Sequence, residues 1–175
     1  MPRAFNSSKL AVLGGVLGGV LFLDLATKLA VQRSLHLYQQ VNVVGDYLRL
    51  TYIHNPGAAF GITLGPPGAS RYIFLVLSLI ALAALAGMYW VTPAKDKVRL
   101  SSIALICGGA LGNLLDRVRS QAGVVDFLDI GVGNLRWPVF NVADMGIVIG
   151  AALVVLASAR ARKDDNEDRT VGAST

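Results

Sequence analysis

The segment YIFLVLSLIALAALAGMYWV, from Tyr72 to Val91, contains 20 residues and no charged side chain. At about 1.5 Å of rise per residue, a helix of this length matches the roughly 30 Å of hydrocarbon in a bilayer. Length and composition together therefore predict that this segment crosses a membrane as a helix.

Three shorter charge-free runs occur elsewhere, at Leu10–Leu23, Leu100–Leu115 and Met145–Ala159. Any one of them alone could be a buried core helix of a soluble protein. Four such runs in 175 residues, with 54% hydrophobic and 15% charged residues, leave too little polar chain to cover them. We therefore predict an α-helical integral membrane protein with four transmembrane helices, at approximately residues 10–31, 70–91, 99–118 and 139–159.

The first run has a second interpretation, because Arg3 and Lys9 precede it as in a cleavable signal peptide. Asp24 and Lys28 follow where a small-residue cleavage site would be expected, so we favour a retained span. Asp24 and Lys28 are four residues apart and can form an ion pair on one helix face. For this pair we favour structural support over catalysis.

Basic residues concentrate in three segments that lie on one side of a protein with four spans. These are the N-terminal residues 1–9, the connection KDKVR (95–99) and the segment 160–163. The positive-inside rule assigns this side to the cytoplasm, so we predict that both termini are cytoplasmic. The net charge of +5 comes largely from these anchors, and it indicates anionic lipid headgroups as partners rather than nucleic acid.

The polar connections predict the remaining architecture. Residues 35–62 contain β-branched and aromatic residues with partial alternation, interrupted by Gly45, Pro56 and Gly57, which predicts two or three short extracytoplasmic strands. Residues 164–175 form a polar tail that we predict to be disordered. The membrane domain is therefore expected to cover residues 1–163.

Polar residues of the second half of the chain should meet at the outer leaflet. The third helix is predicted to end, and the fourth to begin, on the same side of the membrane. The connecting stretch GVVDFLDIGVGNLRWPVFNVADMG (123–146) adds further acids. The candidate site thus contains Asn113, Asp116, Arg117, Asp126, Asp129, Asn141 and Asp144.

Ionisable groups at membrane depth cost at least about 2.5–3.5 kcal/mol to insert, which makes them functional candidates. We favour a function for Asp144, which directly precedes 15 uncharged residues, and Asp126 is flanked by apolar pairs. For Asp129 we favour a solvated or ion-paired structural role. Asp116 could equally form an ion pair with Arg117 that closes the third helix.

Two close aspartates can share one proton, so that one activates water as a base while the other acts as an acid on a carbonyl. This is the chemistry of an aspartic protease. Neutral amides, from Asn55, Asn113 and Asn141, would suit the orientation of a substrate backbone. The sequence lacks H-E-x-x-H, G-x-S-x-G and a P-loop lysine, and it has the single cysteine Cys107, so metal, serine-hydrolase and nucleotide motifs are not indicated.

Two non-peptidase classes compete with this interpretation. A proton- or cation-coupled transporter would carry its acids nearer the bilayer midplane, usually in repeated halves. A non-enzymatic scaffold with four spans would leave the cluster of acids and asparagines without a reason.

Five blocks of the sequence, in order, resemble the lipoprotein signal peptidases, the type II signal peptidases of bacteria. They are DLATK (24–28), HNPGAAFG (54–61), GGALGNLLDRV (108–118), VVDF (124–127) and FNVAD (140–144). The resemblance extends over roughly residues 10–160.

The resemblance implies four spans with a small extracytoplasmic β-cradle, in a multi-pass protein of the bacterial inner membrane. It implies an aspartic endopeptidase without metal or organic cofactor, whose catalytic pair is Asp126 and Asp144. The substrates implied are diacylglyceryl-modified prolipoproteins, cut just before the lipidated cysteine, and globomycin-type inhibitors are implied to bind the same site. The supporting residues implied are Asp24, Lys28, Asn55, Asn113, Arg117 and Asn141.

Overall fold

A computed structural model describes residues 7–57, 62–66 and 68–172, with side chains as far as Arg160. It contains four long helices: α1 (Ser7–Ser34), α2 (Ala69–Val91), α3 (Lys97–Arg119) and α4 (Val142–Gly172). Each is long and apolar enough to cross a membrane. The predicted fold class of four transmembrane helices with a small sheet is confirmed.

Helix α4 extends into the polar segment from residue 164, for which the sequence predicts disorder. Helix α4 continues without interruption to Gly172. Starting a helix is the unfavourable step, and a turn added to an existing helix needs no new nucleus. The polar residues after the apolar part of α4 can therefore continue the helix.

Helix α3 lies at the centre of the bundle and packs against α1, α2 and α4. Its glycines allow the neighbouring backbones to come close. A Cβ atom at Gly108 would lie 3.0 Å from the Leu17 carbonyl oxygen of α1, and one at Gly109 would collide with the Ala143 carbonyl oxygen of α4. This close packing holds the first turn of α4 against the last turns of α3.

The connections form one four-stranded antiparallel sheet in the order β1-β2-β3-β4. Strands β1 (Gln40–Val44) and β2 (Leu48–Asn55) come from the predicted β region. Strands β3 (Val124–Val132) and β4 (Leu135–Arg136) come from the connection between α3 and α4, for which no strand was predicted. Strand β3 pairs with β2, about 70 residues earlier, so a local sequence pattern does not reveal this pairing. Strand β4 pairs with the neighbouring end of β3.

The sheet lies at the end of the bundle where α1 and α3 end and where α2 and α4 begin, here called the sheet end. Hydrogen bonds at the other end join Lys9 to Trp90 and Lys97 to Ser8. At the sheet end, Ile53 of β2 lies opposite Asp126 of β3. Alternate residues of a strand share a face, so Asn55 lies on the same face as Asp126.

Candidate active site

The first turn of α4 holds Asp144 through a reciprocal capping interaction with Asn141. The Asn141 side-chain oxygen accepts the backbone N–H of Asp144 at 2.9 Å, and Asp144 Oδ2 accepts the backbone N–H of Asn141 at 3.2 Å. This is the geometry of a capping box, which satisfies N–H groups that have no partner within the helix. The carboxylate also lies at the positive end of the helix dipole.

Asp126 lies in β3 and is 2% exposed. Its Oδ1 accepts a hydrogen bond from Asn141 Nδ2 at 2.6 Å, and its Oδ2 accepts one from Asn55 Nδ2 at 3.0 Å. Burial in the first place, and then the negative charge of Asp144, raise the pKa of Asp126 to about 7, against the opposing effect of the two asparagine donors. Near neutral pH this carboxyl group can therefore hold or release a proton.

Two asparagine side chains connect the carboxyl groups of Asp126 and Asp144. Asn113 Nδ2 donates to Asp144 Oδ1 at 2.8 Å, and Asn141 Nδ2 donates to Asn113 Oδ1 at 3.1 Å. Since Asn141 also donates to Asp126, a continuous chain of hydrogen bonds links the two acids. The neutral amides orient both carboxyl groups without adding charge.

Lys28 lies behind this chain, in α1, and is 2% exposed. Its ammonium group forms ion pairs with Asp24 Oδ2 at 2.7 Å and with Asp116 Oδ2 at 2.8 Å, and it donates to Asn113 Oδ1 at 3.1 Å. The predicted ion pair of Asp24 and Lys28 is therefore present. Asp116 also pairs with Lys28, whereas a pair with Arg117 was the alternative considered from the sequence.

Both carboxylates around Lys28 also bind the backbone. Asp24 Oδ1 accepts the N–H of Ala143 at 2.9 Å. Asp116 Oδ2 accepts the N–H of Val125 at 3.2 Å. The acids thereby fasten α1 to the start of α4, and α3 to the start of β3.

Arg117 brings a second buried cation to the site, with 7% of its surface exposed. Its guanidinium donates to the Gly57 carbonyl at 2.8 Å and to the Asn113 carbonyl at 3.3 Å, and it lies 5.5 Å from the centre of the Phe74 ring. Within residues 7–57, 62–66 and 68–160, its Nε has no hydrogen-bond partner and it forms no ion pair. Its charge acts on both acids of the pair.

Asp129, in contrast to the acids around Lys28, has its side-chain partners on the strands of the sheet. Arg136 Nε donates to Asp129 Oδ1 at 2.6 Å, and the Thr51 hydroxyl donates to Oδ2 at 3.1 Å. This ion-paired position agrees with the structural role favoured from the sequence. Within the part of the chain that the structure describes, no three His, Cys, Asp or Glu side chains are grouped to hold a metal ion.

The structure thus brings all eight site residues predicted from the sequence into one connected region at the sheet end. They are Asp24, Lys28, Asn55, Asn113, Arg117, Asp126, Asn141 and Asp144. Two features of the site were not predicted from the sequence: the role of Asp116 and the capping box of α4. The latter had a recognisable signal, since Asn141 and Asp144 are three residues apart and precede an apolar run.

Comparisons with known proteins identify the family of the chain. Residues 16–160 match the family model described as signal peptidase (SPase) II. A lipoprotein signal peptidase of Halothermothrix orenii is 43% identical over 137 residues, covering 78% of this chain and 88% of that protein. One from Photorhabdus laumondii is 42% identical over 139 residues, covering 79% of this chain and 82% of that protein.

The fold is also found among solved structures. A bacterial membrane enzyme determined by the in meso method has a TM-score of 0.78 and 27% identity, covering 91% of this chain and 92% of that one. A second has a TM-score of 0.73 and 28% identity, covering 87% and 93%. With its family match over most of the chain and its relatives at about 40% identity, the protein belongs to the signal peptidase II family.

Proposed function

We propose that this protein is a membrane aspartic endopeptidase that removes the signal peptide from diacylglyceryl-modified prolipoproteins, cutting just before the lipidated cysteine. The observation that carries the proposal is the pair of acids Asp126 and Asp144, joined through Asn141 and Asn113, with Asp126 buried and Asp144 half-buried. Family membership supports the substrate class, because the relatives are lipoprotein signal peptidases.

In the proposed reaction Asp126 begins protonated and Asp144 begins ionised. Asp144 takes a proton from a water molecule, whose oxygen attacks the scissile carbonyl carbon, while Asp126 gives its proton to the carbonyl oxygen. The tetrahedral intermediate then collapses, because Asp144 returns a proton to the departing amide nitrogen and Asp126 recovers one from the hydroxyl group. The C–N bond breaks, and both acids regain their starting states.

The neighbouring polar groups have supporting roles in this scheme. Asn55 and Asn141 hold the two oxygens of Asp126, so that its acidic proton stays directed to the substrate. We assign Arg117 to the binding of a substrate backbone carbonyl. The support for this role is its buried guanidinium, whose Nε has no partner in the described part of the chain.

The membrane setting fits a lipid-anchored substrate. We propose that the sheet end faces outward from the bacterial inner membrane and that both termini are cytoplasmic, as the distribution of basic residues indicates. The pair of acids would then lie near the outer leaflet, at the level where a diacylglyceryl group holds the cleavage site. Globomycin-type inhibitors are expected to occupy the same site.

The direct test compares one precursor with and without its diacylglyceryl group, using purified protein in detergent and a gel shift to follow cleavage. Burying even about four methylene groups, at ~0.8 kcal/mol each, would raise kcat/KM about 200-fold for the lipidated form. Equal cleavage of both forms would refute the dependence on lipid. Failure to cut either form would refute the peptidase.

The pH dependence follows from the assignment of Asp126 as the acid. Its pKa is raised to about 7, so the protonated form is present below that pH and is lost as the pH rises through it. We expect kcat/KM for the lipidated precursor to fall about tenfold per unit above this pH. Measurement of cleavage between pH 5 and about 9 checks this. A profile that stays flat across neutrality would contradict the acid role of Asp126.

A further inference from the structure

Two aspartates outside the proposed catalytic pair make the same backbone contact at equivalent places. Asp24 accepts the N–H of Ala143, the residue immediately before Asp144. Asp116 accepts the N–H of Val125, the residue immediately before Asp126. Each catalytic aspartate is thus preceded by a peptide group that a second aspartate holds in place.

A single ammonium group joins these two anchors. Lys28 lies 2.7 Å from Asp24 and 2.8 Å from Asp116, and Asp24 and Lys28 are almost completely buried. The path from Ala143 through Asp24, Lys28 and Asp116 to Val125 therefore links the backbone of α4 to the backbone of β3. We call Asp24, Lys28 and Asp116 the carboxylate bridge.

We propose that the carboxylate bridge sets the separation between Asp126 and Asp144, and that Asp116 is a positioning residue for the reaction. This inference rests on the proposed function in naming the two acids as catalytic. It assigns Asp116 a role beyond an ion pair at the end of α3, because its carboxylate acts on Asp126 through the peptide group of Val125.

The separation has a chemical consequence. Two carboxyl groups share one proton only while they remain close, and a misplacement of about 1 Å can reduce the rate about 100-fold. Asp126 sits on a strand and Asp144 on a helix, so no single element holds them both. The carboxylate bridge is a direct, charged connection between the two peptide groups next to them.

The proposal is tested with Asp116→Glu, which keeps the negative charge but places the carboxylate one methylene further from the backbone. The matched control is Asp129→Glu, because Asp129 is also buried and ion-paired but holds no peptide group next to a catalytic acid. For Asp116→Glu we expect kcat to fall about 10- to 100-fold with little change in KM. For Asp129→Glu we expect a change below about threefold.

A second readout separates positioning from a loss of folded protein. Burial and the charge of Asp144 raise the pKa of Asp126, while Lys28 lowers it and Arg117 lies within electrostatic range. A displaced bridge alters these effects, and those of the Asn55 and Asn141 donors, without removing a charge. The titration midpoint of Asp126 should then shift by about half a unit or more. The infrared band of the protonated carboxyl, assigned with Asp126→Asn, reports this midpoint without substrate.

The outcomes distinguish this inference from the proposed function. A lower kcat together with a shifted midpoint in Asp116→Glu, and neither change in Asp129→Glu, supports the carboxylate bridge. An unchanged midpoint overturns the proposed role of the carboxylate bridge, whether or not kcat falls. A smaller amount of folded protein lowers the infrared signal but does not move its midpoint. If the wild type does not cut lipidated precursor, the proposed function fails, and the infrared titration still decides whether the bridge holds Asp126.

Discussion

Asp126→Asn and Asp144→Asn are each expected to reduce kcat/KM for a diacylglyceryl-modified precursor by about 10³- to 10⁴-fold. An amide has nearly the shape of a carboxyl group but can neither take a proton from water nor give one to a carbonyl oxygen at neutral pH. Because the two acids act as a unit, the double variant should be little worse than either single one. The measurement is cleavage by gel shift, normalised to the folded protein.

Folding must be measured beside activity, because each replacement also affects hydrogen bonding. Both oxygens of Asp126 accept from asparagine NH₂ groups, and both oxygens of Asp144 accept from N–H groups. An amide can accept at only one end, so each variant loses one bond at a cost of about 1–3 kcal/mol.

Asp129→Asn is the matched control for this experiment. Asp129 is a buried aspartate of the same strand as Asp126, and its partners are Arg136 and Thr51. The Asp129→Asn variant should cut the precursor at a rate within about threefold of the wild type, once the amount of folded protein is taken into account. Retention of cleavage by Asp126→Asn or Asp144→Asn would remove the pair from the mechanism.

Lys28→Met is expected to lower the free energy of unfolding by about 3–5 kcal/mol, because it leaves Asp24 and Asp116 buried without their shared cation. Methionine has a similar length and fills the same space, so lost packing contributes little. Reversible unfolding in mixed detergent micelles, followed by tryptophan fluorescence, measures the change.

Two further variants show whether the unpaired charge is the cause. Lys97→Met removes an exposed lysine whose ammonium group binds only the Ser8 hydroxyl in the contacts described, and it should change stability by less than about 0.5 kcal/mol. The triple variant Lys28→Met, Asp24→Asn, Asp116→Asn removes all three charges of this group and should recover part of the loss. A wild-type unfolding curve for Lys28→Met would contradict the stabilising role of these ion pairs.

The candidate site was only partly predictable from the residue types. Hydropathy placed Asp116 and Asp144 at the ends of helices, and it brought four aspartates to one side of the membrane. The residues alone did not select the proposed catalytic pair, and the resemblance to the family supplied Asp126 and Asp144. The structure gives a physical reason to set Asp129 apart, because Arg136 and Thr51 already occupy its two oxygens.

The four helices were predictable from the amino-acid order because transfer into lipid is a local property. The free energy of a segment such as Tyr72–Val91 in a bilayer depends mainly on its own residues, added along about 20 positions. The capping box of α4 is equally local, since it lies within four consecutive residues, and its pattern was present in the sequence although it was not predicted. The fold class, and the proposed level of the acids in the membrane, follow from such local contributions.

The pairings across the chain depended on the tertiary structure. Strand β3 finds β2 about 70 residues away, and Lys28 finds Asn113 at a separation of 85 residues. Such contacts form only when helix packing and strand register place two distant segments together, and no window along the chain contains both partners. The bridge between Asp24, Lys28 and Asp116, which holds the peptide groups beside both acids, arises in this way.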